Sequence, residues 1–230
     1  MTQGYEINDL VKGDSWRMFR IIGEFVEGFD SLAGIEPAIT IYGAARLKAE
    51  EAGLYAHAQE IARRLGELGF NIITGGGPGI MEAANKGAIE AGVRSIGLNI
   101  ELPEEQALNP YTTQSITFHH FYTRKVMLVK YATAFIIMPG GLGTLDELTE
   151  VLTLMQTQKI IPFPVILFDS KYWKGFLDWL HSETLARGFV AEQDFDLLRV
   201  CDTTDEVVQT VQQWYIKKEI GGRRAVSKQS

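Results

Sequence analysis

The sequence predicts an α/β protein built on a doubly wound parallel sheet. Short apolar runs alternate with longer stretches whose apolar residues recur at helical spacing. The runs are apolar throughout rather than alternating, as strands are when both faces of a parallel sheet are covered. Two of the runs end in glycine-rich turns that open helices, and right-handed crossovers between such units place helices on both faces of the sheet.

Residues 1–13 are polar and read as loose. From Asp14 the residues Met18, Phe19, Ile22, Phe25, Val26 and Phe29 recur at helical spacing, predicting a helix to about Phe29. Its apolar stripe must bury against the sheet or a partner subunit. Ala38–Tyr42 reads as the first strand. Glu50–Leu68 is a helix with Leu54, Ala58, Ile61, Leu65 and Leu68 on one face, stopped by Gly69. Strand Phe70–Thr74 runs into Gly75-Gly76-Gly77-Pro78-Gly79, followed by helix Ile80–Ala91. Ser95–Ile100 is a strand, Leu102–Thr113 a loop, Ser115–Phe118 a short strand and Phe121–Tyr131 a helix. Ala134–Met138 is a core strand ending in Pro139-Gly140-Gly141-Leu142-Gly143, with helix Thr144–Gln156 after it. Then come strand Pro164–Phe168, helix Lys171–Leu185 and strand Leu197–Val200. Thr203 to Glu206 form a capping box for a helix to about Lys218. The expected organisation is an N-terminal extension with one helix (1–37), one Rossmann-like domain (38–219) and a polar, disordered tail (220–230).

The 230 residues are 46% hydrophobic and 22% charged, the balance of a globular protein that buries its own core. The net charge of −7 disfavours general nucleic-acid binding, which selects basic stripes. A small anion needs only local positive charge and aimed N–H groups. The single Cys201 cannot form an intrachain disulfide and reads as a buried thiol. Neither a signal peptide nor a membrane-length apolar run is evident, so the expectation is a cytoplasmic protein without a membrane partner.

The two glycine loops carry the functional signal. Ligands of α/β sheets sit at the carboxyl ends of strands, where helix N-termini present unpaired N–H groups to anions. Gly75, Gly76 and Gly77 let the backbone approach a ligand. The spacing is neither a dinucleotide-binding fingerprint on the first strand nor a phosphate loop ending in Lys-Ser/Thr. In the second loop Gly140, Gly141 and Gly143 bare the backbone. Thr144 is expected at the N-cap, where a phosphate would receive N–H bonds, the hydroxyl and the helix dipole. Glu147 then serves either a capping box with Thr144 or the ligand. Between the loops, Arg124 and Lys125 either pair with a phosphate or begin a solvated surface helix. His119 and His120 lack suitably spaced companions, so no metal is expected.

These residues resemble the LOG (LONELY GUY) family of cytokinin riboside 5′-monophosphate phosphoribohydrolases, often mislabelled as lysine decarboxylases. The resemblance rests on Pro139-Gly140-Gly141-Leu142-Gly143-Thr144-Leu145-Asp146-Glu147, Arg124-Lys125 and the run from Gly75 to Met81, and extends from about Ala38 to Lys218. It implies a Rossmann-like fold, a homodimer or higher homo-oligomer, and release of a free base and ribose 5-phosphate. It implies catalytic roles for Arg124 and Glu147 and a phosphate site formed by Gly140, Gly141, Gly143 and Thr144. Many members have serine where this chain has Ala44 and Ala45; Arg46 could compensate. Glu82, where plant-like members have glycine, could bind ribose hydroxyls. The helix before Pro37 resembles longer bacterial members.

Breaking an N-glycosidic bond builds positive charge on the sugar. A carboxylate held nearby stabilises that charge or activates water, and Glu147 is the candidate. Hydrolysis needs no organic cofactor. A decarboxylase would need pyridoxal phosphate on a lysine, and no lysine is singled out. The alternative from another class is a non-catalytic nucleotide or molybdenum-cofactor carrier. Met127 and the Ala107–Thr113 loop are expected to shape the base pocket.

Overall fold

The computed structural model describes residues 14–102 and 107–226. Seven strands form one all-parallel sheet: β1 (Ala38–Tyr42), β2 (Asn71–Thr74), β3 (Ser95–Ile100), β4 (Gln114–Phe118), β5 (Ala132–Ile137), β6 (Val165–Phe168) and β7 (Leu198–Cys201). Their order is β4-β3-β2-β1-β5-β6-β7. The chain therefore winds outward from β1 in one direction, returns, and winds outward in the other. The switch point lies between β1 and β5, where sheets of this kind bind ligands beyond the strand ends.

The helices are α1 (Asp14–Ser31), α2 (Ala52–Glu67), α3 (Ile80–Glu90), α4 (Phe121–Lys130), α5 (Leu142–Gln156), α6 (Ser170–Trp179) and α7 (Thr204–Val226). Alternate strand residues feed two cores. Tyr42, Phe135, Ile137, Val165 and Leu167 pack with α4, α5 and Trp173 of α6. Ile39, Ile41, Ala134, Ile136 and Ile166 pack with α2, α3 and α7. Both sets are buried, which explains why these strands carry no polar alternation.

The doubly wound parallel sheet is as expected, and several details differ. Leu68 caps α2 and is exposed rather than packed. The α6 stretch ends at Trp179 and continues as a wider π-turn over Leu180–Leu185. The capping box before α7 forms reciprocally: Glu206 N–H donates to Thr203 Oγ1, and Thr203 N–H to the Glu206 carboxylate. That helix runs to Val226, so residues 221–226 are helical rather than a loose tail. Gly221 and Gly222 cost about 1 kcal/mol each, which slows but does not stop propagation. Residues 1–13 and 227–230 lie outside the described residues.

The stripe of α1 is only partly covered. Phe25 packs on the core, and Gly28 lies so close to Met127 of α4 that a Cβ there would fall 2.8 Å from its methyl carbon. Trp16, Met18, Phe19, Ile22 and Val26 are each more than half exposed. Glu24 anchors the helix. Its buried carboxylate accepts the His119 N–H at 3.0 Å, faces His120 Nδ1 at 2.9 Å and accepts the Thr123 hydroxyl. Burial pulls its pKa up, but the bonds from Thr123, His120 and His119 prevail and hold it below the usual carboxylate range. Glu24→Ala should therefore cost roughly 3 kcal/mol at neutral pH, read by urea denaturation. A lowered folded-state pKa gives stability that is present above the ordinary carboxylate pKa and lost as pH falls through the folded value. The gap between variant and parent should close in acid; a gap independent of pH would refute the ionic role.

Candidate functional site

Three loops meet at the switch point. The loop after β1 stitches the other two together through Ala44: its N–H donates to the Pro139 carbonyl and its carbonyl accepts the Ile80 N–H, both at 3.0 Å. The two glycine loops are thus joined through one residue, as their positions after β2 and β5, on either side of β1, allow. The serine hydroxyl absent at Ala44 is not needed for this, because the contacts are main chain. Arg46 is exposed on the same loop.

The first loop is a braced platform. Thr74 Oγ1 accepts the Gly76 N–H at 3.0 Å and donates to Asn85 Oδ1 at 2.6 Å. Asn109 Nδ2 donates to the carbonyls of Gly76 and Gly77, each at 3.0 Å. Asn85 Nδ2 reaches Ser95 Oγ at 2.8 Å. Thr74, Asn85, Ser95 and Asn109 are all buried, so this network holds the turn rigidly. Gly75, Gly76 and Gly77 are themselves buried. Gly79 has φ of +69° and a Cβ there would strike the Ala44 carbonyl oxygen at 2.4 Å, so only glycine fits.

The second loop offers the open backbone. Helix α5 begins at Leu142, not Thr144; its N-cap is Gly141, with no side chain capping it. The N–H groups of Thr144 and Leu145 turn back to the Gly141 carbonyl at 3.0 and 3.1 Å. Thr144 thus lies inside the first turn, and the Thr144–Glu147 capping box does not form. A Cβ on Gly141 or Gly143 would meet nothing within 4 Å, so the protein itself does not require glycine there. Gly140 differs: its Cβ would fall 2.1 Å from Thr144 Oγ1.

Arg124 projects from α4 across the strand ends. Its Nε donates to the Leu98 carbonyl at 2.7 Å, and a Cβ on Gly75 would lie 2.4 Å from its Nη2. The guanidinium therefore rests directly on the first glycine loop. Burial lowers its pKa, with the Glu147 and Tyr42 charges opposing. Glu147, on α5, is only 6% exposed, and its Oε2 has no hydrogen-bond partner among the described residues. Burial pushes its pKa up to about 7 against the pull of Arg124 and Lys125, with Glu150 and Asp146 adding to the rise. A buried carboxylate poised there can hold or release a proton at neutral pH.

Lys125 does not face the loops as a free cation. Its Nζ pairs with Asp146 at 2.9 Å and Glu150 at 3.2 Å, tying α4 to α5. Burial acts to lower its pKa, but those two carboxylates more than offset this and raise it. Glu82, in the first turn of α3, accepts the Tyr55 hydroxyl at 3.0 Å. Met127 is fully buried beneath α1 and does not line an open pocket. Of the 107–113 loop, Asn109 serves the platform. Among the described residues no group of three or more His, Cys, Asp or Glu side chains is placed to hold a metal. The brace of Thr74, Asn85, Ser95 and Asn109 was not evident in the sequence. Its one signal is the pair of asparagines in an otherwise apolar setting.

The parallel sheet, its switch point and the loops that meet there define a Rossmann-like protein of the doubly wound class. Within that class the chain belongs to the LOG family, whose model, described as possible lysine decarboxylase, matches residues 81–211. It is 29% identical to the cytokinin riboside 5′-monophosphate phosphoribohydrolase LOG of Oryza sativa subsp. japonica, covering 76% of this chain and 72% of that one. It is 32% identical to the pyrimidine/purine nucleotide 5′-monophosphate nucleosidase of Escherichia coli K12, over 51% of this chain and 28% of that protein. Its fold is similar to the solved structure of TM1055, with a TM-score of 0.58 at 24% identity over 76% of this chain and 98% of that one. The molybdenum cofactor carrier protein of Chlamydomonas reinhardtii shares the fold at a TM-score of 0.56 and 22% identity, over 78% and 98%.

Proposed function

We propose that this chain hydrolyses the N-glycosidic bond of a purine nucleoside 5′-monophosphate, giving free base and ribose 5-phosphate. One observation carries the reading: a buried carboxylate with its pKa raised to about 7, Glu147, feels the charge of a buried arginine, Arg124, that rests on the first glycine loop. A carrier needs no such pair. The named relatives act on nucleoside 5′-monophosphates, which supports the same chemistry here.

In this reading the N-terminus of α5 receives the phosphate, through the bare backbone of Gly141 and Gly143 and the helix dipole. Glu147 stabilises the positive charge developing on the ribose and, when ionised, accepts a proton from the attacking water. The C1′–N bond breaks as the C1′–O bond forms, and the departing base takes up a proton. Arg124 holds the substrate over the first loop. The Schiff-base chemistry suggested by the decarboxylase label finds no support in Lys125. That amine is clamped as an ammonium between two carboxylates, whereas a nucleophilic lysine needs a lowered pKa.

The test is incubation with AMP and with N6-prenylated AMP, with products identified by mass. Free base and ribose 5-phosphate are expected from at least one, with loss of at least a hundredfold in kcat/KM for Arg124→Ala. Tight binding of intact nucleotide without base release would make the chain a carrier. We further propose that the exposed apolar side chains of α1, with Phe121 and Val126 of α4, are covered by a second copy, giving a homodimer or higher oligomer. A monomeric mass by light scattering would overturn this.

A further inference from the structure

Tyr42 closes β1 at the centre of the switch point, between the strand that leads to the first glycine loop and the strand that leads to the second. Its ring is buried against Phe135, with centroids 5.4 Å apart. Its hydroxyl is wholly buried and has no hydrogen-bond partner among the described residues. A buried hydroxyl without a partner costs about 1–3 kcal/mol, and phenylalanine would fill the same space without that penalty. Among the described residues Glu147 Oε2, on α5, is likewise buried without a partner. The charged groups that act on Tyr42 are Glu147 and Glu150 from α5 and Arg124 from α4. Those acting on Glu147 are Arg124, Lys125, Glu150 and Asp146. Glu150 is held by Lys125, which leaves Glu147 as the acceptor still to be satisfied; in the resting arrangement its Oε2 and the Tyr42 hydroxyl are not bonded to each other.

We infer that Tyr42 is a positioning residue for Glu147, its hydroxyl donating to the carboxylate as that group ionises during turnover. A phenol is suited to this because it stays protonated through the range in which Glu147 titrates; burial and the neighbouring carboxylates push Tyr42 well above the usual tyrosine value. The donor favours the ionised carboxylate, turns it toward the ribose and does not touch substrate. The kinetic consequence rests on the hydrolase reading; the titration of Glu147 does not.

Tyr42→Phe is the test. A hydrogen bond to a charged group is worth about one pH unit or more, so the Glu147 titration should move up by about one unit. It is read as the 13C carboxyl resonance that Glu147→Gln removes. With AMP or its N6-prenylated form, the acid limb of the kcat profile should move up equally. Near pH 6.5 kcat should fall about tenfold with KM unchanged, while the melting temperature at pH 5, where Glu147 is protonated, stays level or rises. An unshifted carboxyl titration overturns the inference whether or not the chain turns over nucleotide. A drop in melting temperature at pH 5, where Glu147 is protonated, also overturns it, since the hydroxyl would then have a structural partner. If the parent releases no base, the hydrolase reading fails, and the carboxyl titration alone decides the role of Tyr42.

Discussion

Glu147→Gln should abolish base release while making the protein more stable in alkali. The loss follows from removing a proton acceptor beside the ribose, and should be about 10²–10⁴ in kcat. The gain follows from linkage. The folded-state pKa of Glu147 is raised to about 7 by burial, so between the unfolded value and 7 the native state holds the extra proton. Stability contributed by this group is then greatest in acid and falls as pH rises through that window. A shift from the ordinary value of 4.5 to about 7 corresponds to about 3 kcal/mol of destabilisation once the carboxylate is fully ionised. Glutamine removes the charge but leaves an unpaired amide, worth about 1–2 kcal/mol in the opposite sense. The net stabilisation should be about 1–2 kcal/mol at pH 8.5, a few degrees in melting temperature, and should disappear by pH 5. A stability difference flat from pH 5 to 8.5 would show that Glu147 does not titrate as a buried carboxylate. The same ionisation should appear as an acid limb near pH 7 in the parent's kcat profile.

This opposition between stability and activity explains why the site was partly readable in the sequence. Glycines after apolar strands are visible because they break local rules: they forgo propensity where nothing local rewards them. The pairing of Arg124 and Glu147 came from resemblance. Burial, which tunes Glu147, is a tertiary property that no spacing reveals. Lys125 shows the limit from the other side. As the neighbour of Arg124 in the chain it reads as a second phosphate ligand. On a helix, however, adjacent residues point about 100° apart, and it turns toward Asp146 and Glu150. Ala44 carries no side-chain signal, yet its N–H and carbonyl join the loops. The strands were legible because both faces are buried. The start of α5 was not, because Gly141 caps it without a side chain and Thr144 imitates a cap three residues later.

Gly143→Ala separates what the fold requires from what a ligand requires. Gly143 sits in the first turn of α5, and a Cβ there would meet nothing within 4 Å. Alanine is about 1 kcal/mol better than glycine in a helix, so the variant should melt about 2–4 °C higher. If phosphate approaches the bare backbone of this turn, the added methyl stands in its path, and the KM for AMP or its N6-prenylated form should rise at least tenfold. Gly140→Ala is the contrast. Its Cβ would fall 2.1 Å from Thr144 Oγ1, so the loop must shift, and that variant should lose stability and activity together. A Gly143→Ala protein that is more stable with an unchanged KM would move the phosphate away from α5. The first glycine loop cannot easily take its place, because the Gly76 N–H is already committed to Thr74. Arg124 would then be left as the anion's main partner, and Arg124→Ala should abolish binding rather than only turnover.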